Sequence, residues 1–111
     1  MDRNPDINDE EVGASTFKMK KEQAVERMTA KIRHHLGRDW LRLREDEIEL
    51  LEMLLGECWA FFDFARWDQI NISAITFDRI ENILETGRAM TRGKKSPHSC
   101  YLEIGELLRA L

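Results

Sequence analysis

No apolar run in this 111-residue chain reaches the ~18 residues that a bilayer-spanning helix requires, so a membrane protein is not expected. The opening stretch MDRNPDINDEEVGAS is acidic and has no apolar h-region, which leaves nothing to mark the chain for secretion and makes the cytoplasm the expected compartment. Cysteine is scarce. Cys58 and Cys100 form no CxxC pair and show no metal-ligand spacing, so both are expected to be reduced, and no metal or cofactor is expected. Lysine and arginine are missing from Asp46 to Asp63, which carries only acids. By contrast, Lys18 to Arg38 holds seven Lys or Arg against Glu22 and Glu26. Neighbouring helices of opposite sign should attract along their rims, where each exposed pair contributes only ~0 to 1 kcal/mol, so charge selects the arrangement and apolar burial stabilises it.

Catalytic signatures are equally sparse. Lys94, Lys95 and Ser96 follow Gly93 in a GKKS string, but the first glycine of a phosphate-binding loop and its preceding strand are absent, and a phosphate cradle needs several convergent amides. His34 and His35 are adjacent on a helix, so their side chains diverge by about 100° and cannot share a metal. No histidine has a glutamate three residues before it, as helical di-iron sites require. No nucleophile has a recognisable orienting partner, and the chain is not expected to be an enzyme.

What is present is amphipathic helix. At 34% charged and 42% hydrophobic residues, the composition suits one helical domain large enough to bury a core without disulfides. The longest periodic stretch is Arg44 to Trp67. Read as one helix, it places Ile48, Leu50, Leu51, Leu54, Leu55, Cys58, Trp59, Phe61, Phe62 and Ala65 on an apolar arc about half the circumference wide. At ~1.5 Å per residue such a helix spans ~36 Å, making it the spine of a domain this size. The fold expected is all-α: a small bundle of about four helices around this central one.

Before the spine, residues 1–15 hold five acids and only Ile7 and Val12 as apolar anchors, and are expected to form a flexible tail to a single helical domain over 16–111. A first helix is expected from Ser15 or Thr16 to Leu36, with Phe17, Ala24, Val25, Met28, Ile32 and Leu36 inward, His35 within the same arc, and Gly37 as the left-handed terminator. Trp40, Leu41 and Leu43 form either a capping turn or a backward extension of the spine, on the same arc. After the spine, DQINISA is expected to be a connector whose isoleucines tuck under the bundle. Ser73 or Thr76 caps a third helix to about Thr91, where Gly87 would permit a close backbone approach. Ser96 with Pro97, or Ser99, begins a last helix carrying Tyr101, Ile104, Leu108 and Leu111 on one stripe.

The spine also shows an anomaly. Met53, Ala60, Phe64 and Trp67 lie outside the main arc, among Glu49, Glu52, Glu57 and Asp63, and with Glu57 they repeat at 4, 3, 4 and 3. This second seam is covered either by another helix of the chain or by another molecule; buried Trp, Phe and Met are favoured interface anchors. Spare apolar area points to self-association, a partner, or both, and the four seam residues are the candidate partner or dimer interface. Lys20, Arg27, Lys31 and the Lys94 loop offer an alternative, a small helical nucleic-acid-binding regulator. Net charge −4, the acidic tail, and Glu103 and Glu106 on the last helix weigh against that.

The tract WLRLREDEIELLEMLLGECWAFFDFARWDQ, from Trp40 to Gln69, together with the opening DRNPDINDEEV, resembles the QslA-like antiactivators of quorum sensing. That resemblance implies a cytoplasmic, homodimeric, non-enzymatic protein. Its implied partner is a LuxR-type transcriptional activator, bound through the ligand-binding domain so that the activator neither dimerises nor binds DNA. The resemblance carries no residue-level pattern, so no individual functional residue transfers.

Overall fold

The computed structural model describes the backbone of residues 9–62 and 64–111, and the side chains of 20–62 and 66–111. Among the described residues five α-helices and two 3-10 turns follow one another: α1 (Asp9–Leu36), a turn at Gly37–Arg42, α2 (Glu45–Trp59), α3 (Phe64–Asp68), a turn at Ile72–Ala74, α4 (Phe77–Thr91) and α5 (Pro97–Arg109). The architecture is an all-α bundle, as the periodicity predicts.

Helix α1 is already running at Asp9, six residues before the predicted cap at Ser15. Glu10, Glu11 and Ala14 are good helix formers, and Gly13 in their midst costs only about 1 kcal/mol relative to alanine. The tail expected over residues 1–15 is thus helical from Asp9; its first eight residues lie outside the described ones, as does the Phe17 side chain. Ala24, Met28 and Ile32 are buried, with Val25 and Leu36 half-buried beside them. His35 is exposed, not inward, because in the last turn Leu36 alone still reaches the core. Gly37 takes φ 56°, as a helix terminator should. The tight turn after it swings Trp40 and Leu43 onto the core and leaves Leu41 81% exposed, so the three do not share one arc.

Helix α2 occupies the centre, packed against α1, α4 and α5, with Leu51, Leu54, Leu55 and Cys58 fully enclosed. Its first turn is fixed by Glu47, whose carboxylate accepts the Arg44 backbone N–H at 2.9 Å and meets the Arg88 guanidinium of α4 at 2.7 Å. The predicted single rod from Arg44 to Trp67 is not formed. Helix α2 stops at Trp59, and the chain tightens through i→i+3 bonds from the Phe61 and Phe62 amides to the Cys58 and Trp59 carbonyls.

Tertiary packing explains the break. Folding back at this point lets the Trp67 indole bury against α1, its Nε1–H donating to the Ala24 carbonyl at 3.3 Å, with Phe62 edge-on to it at 5.5 Å.

In the connector DQINISA, expected to tuck its isoleucines under the bundle, Ile72 is buried and Ile70 half-buried, and Ile75 just after it is buried as well. Thr76 caps α4 by accepting the Arg79 amide, and Ser96, followed by Pro97, caps α5 by accepting the Ser99 amide, both at 3.2 Å. Ile80, Ile83 and Leu84 of α4 meet Cys100, Ile104 and Leu108 of α5 in the one core. Among the described residues no helix is long and apolar enough to cross a membrane.

Candidate protein-interaction surface

The break in the spine dismantles the predicted seam. Met53 is exposed on α2 and Ala60 just past its end, whereas Trp67 is 3% exposed and belongs to the chain's own core. The Phe64 side chain lies outside the described residues. Met53, Ala60 and Trp67 therefore form no common face, because the 3.6-residue period that aligned them ends at Trp59.

The same break creates a surface that the sequence did not announce. Phe61, assigned to the inward arc of a continuous helix, falls two residues past the end of α2 and turns outward, leaving its ring 44% exposed. It lies against the first turns of α5, edge-on to His98 at 5.9 Å and tilted against Tyr101 at 6.4 Å. Leu102, beside Tyr101 and one turn after His98, is 41% exposed. Two aromatic rings, an imidazole and a leucine thus share one end of the bundle. The Arg109 guanidinium reaches the Phe61 carbonyl at 3.4 Å and stacks over the Phe62 ring at 4.6 Å, pinning the turn that presents Phe61. The only sequence signal for this patch was a crowded one: WAFFDFARW carries more aromatics than one helix face can bury.

Burial acts on three titratable groups beside the patch. The Cys58 thiol, donating to the Tyr101 carbonyl at 3.5 Å, is pushed up to about 12 by burial, with lesser contributions from Cys100 and Glu57. Cys100 is raised by burial, partly opposed by Lys95, and Tyr101 is raised by burial and then by Glu57. Thiols held protonated in this way are poor nucleophiles and poor metal ligands. Both cysteines are free, and among the described residues no group of three or more His, Cys, Asp or Glu side chains could hold a metal ion.

The GKKS loop is committed elsewhere. Gly93, at φ 74°, and Lys94 donate their amides to the Met90 and Ala89 carbonyls, closing α4, and the Lys95 ammonium pairs with Glu103. Those amides cannot also converge on a phosphate.

Charge along α1 also departs from expectation. Among the described residues the only ion pair joining α1 to α2 is Lys21 to Glu57 at 3.8 Å. Lys20, Arg27, Lys31, His34 and Arg38 lie exposed on the other flank of α1 and the turn after it, not against the acids of α2. No protein-family model, curated protein or solved structure matches the chain.

Proposed function

We propose that this protein is a cytoplasmic, homodimeric antiactivator that binds the ligand-binding domain of a LuxR-type quorum-sensing transcription factor and prevents its dimerisation and DNA binding. The resemblance of the Trp40–Gln69 tract supplies the partner class, and the exposed Phe61 patch is the observation that carries the proposal. A ring standing 44% exposed beside Tyr101, His98 and Leu102 has the composition of an interface centre, where aromatic anchors are each worth ~2 kcal/mol or more when truncated. An activator must pair two copies to read a two-part DNA site, and a protein seated on its pairing surface withholds that step without any chemistry.

The test is capture of a purified activator ligand-binding domain by wild type and Phe61→Ser. The variant is expected to bind about thirtyfold more weakly or worse, with its far-UV circular dichroism unchanged because Phe61 is not a core residue. Equal capture by the folded variant would remove the patch from the mechanism.

The exposed stripe Arg27, Lys31, His34 and Arg38 favours a second role, regulation by direct nucleic-acid binding. It predicts retardation of duplex DNA that weakens steeply with salt, because every phosphate that a cationic side chain neutralises sets counterions free. Absence of a shift at low salt would eliminate it.

A further inference from the structure

On the flank of α2 opposite the basic stripe, a groove of about 450 Å³ runs between α1 and α2. Its floor is apolar: Val25 is half-buried, Gly56 carries no side chain, and Met53 stands 39% exposed. Its walls are acidic, with Glu22 and Glu26 on α1 and Glu52 and Glu57 on α2. Glu49, one turn before Met53, extends the α2 wall. Among the described residues Lys21 is the one cation lining the groove, and it already meets Glu57. Glu22, Glu26, Glu49 and Glu52 are exposed and make no ion pair with any described residue.

We infer that this α1–α2 groove is a docking site for a cationic amphipathic helix of a partner protein. Complementarity selects that occupant. A helix laid between two acidic walls places its apolar stripe on Val25 and Met53 and its flanking lysines and arginines against the glutamates. Recognition of this kind, with apolar anchors at i, i+3, i+4 and i+7, uses a groove that is greasy at the base and charged at the rim. Methionine suits the floor because its unbranched thioether adapts to whichever apolar side chain arrives. Gly56, itself buried, lets α1 close on α2 at the base of the groove: a Cβ there would lie 3.0 Å from the Lys21 Cε and 3.6 Å from the Val25 Cγ2. A second copy of this chain is a poorer fit. Among the described residues its own cationic stripe, Arg27, Lys31, His34 and Arg38, has small or polar neighbours at Gln23 and Ala30 and one large exposed apolar side chain, Leu41 beside Arg38, so it offers no row of anchors at i, i+3, i+4 and i+7.

The site is separate from the Phe61 patch and does not require the partner to be a quorum-sensing activator. The probe is a fluorescein-labelled 16-residue helical peptide of leucine and lysine with its leucines on one face, titrated with the full chain and followed by anisotropy. Two controls are a scramble of equal composition that spreads the leucines around the helix, and an analogue with every lysine replaced by glutamate. Expected are saturable, salt-weakened binding of the amphipathic cationic peptide alone, and at least a tenfold loss with Glu26→Lys/Glu52→Lys and with Met53→Glu. Phe61→Ser should bind the peptide as wild type does. The substituted groove residues are exposed, and circular dichroism confirms folding.

Four results would overturn the inference. The first is no binding by wild type; the second is equal binding of the scramble, which would mean charge attraction alone. The third is loss of binding in Phe61→Ser but not in the groove variants, which would place the peptide on the patch. Dissociation of a homodimer by the groove variants in sedimentation would also overturn it, by making the occupant a second copy.

Discussion

Cys58 is the residue whose environment departs furthest from water. Enclosed on α2, with Cys100 and Glu57 nearby, its thiol titrates at about 12 in the folded chain against an ordinary 9.0. The folded state therefore holds this proton where the unfolded state releases it. Its contribution to stability is complete below about pH 9 and is lost as pH rises toward 12, and the raised values of Cys100 and Tyr101 act in the same direction. Urea midpoints are expected to be flat from pH 7 to pH 8.5 and to fall from pH 9.5 upward, with a smaller fall in Cys58→Ala than in wild type. A rise over that window would contradict the burial of these groups. The indole of Trp67 is amphipathic and finds both of its needs on α1, an apolar wall and the Ala24 carbonyl, so a residue that resembled an interface anchor became a core one.

Among the elements, α2 and α4 show how closely the helices are fitted. Gly87 of α4 faces Leu54 of α2 so tightly that a Cβ would sit 2.6 Å from the Leu54 Cδ1 and 3.3 Å from its Cγ, and Leu54 is fully enclosed. Gly87→Ala gains up to about 1 kcal/mol of helix propensity, but overpacking in a filled core costs about 1–3 kcal/mol. The variant is therefore expected to be less stable by about 1 kcal/mol, with Leu54→Val restoring part of the loss in a double-mutant cycle. Additive effects of the two would show that the helices do not meet there.

Gly87, the Thr76 and Ser96 caps and the left-handed Gly37 were all legible in the sequence because each follows from local chemistry: a missing side chain, a hydroxyl before an apolar period, a residue free to take positive φ. The break after Trp59 was not legible. Nothing between Ala60 and Trp67 is a helix breaker, and where the chain bends Phe62 packs on α5 and Trp67 on α1, contacts with residues far away in sequence. Phe61 was misplaced for the same reason, since its direction depends on where a neighbouring helix ends.

For the whole molecule, the outcome is a bundle with a polarised exterior. One flank of α1 is basic, the groove between α1 and α2 is acidic with an apolar floor, and the aromatic patch sits at the end where α2 meets α5. Of the surplus apolar surface expected on the spine, Met53 and Ala60 are exposed and Trp67 is drawn inward, while Phe61 and Leu102 add exposed apolar surface elsewhere. The measurement that tests the central claim most directly is sedimentation velocity on a LuxR-type ligand-binding domain that is dimeric alone, titrated with this protein. Expected is conversion of that dimer into a complex holding a single activator copy, with no conversion by Phe61→Ser at the same concentrations. An activator that stays dimeric in the presence of excess wild-type protein, free or bound, would contradict it.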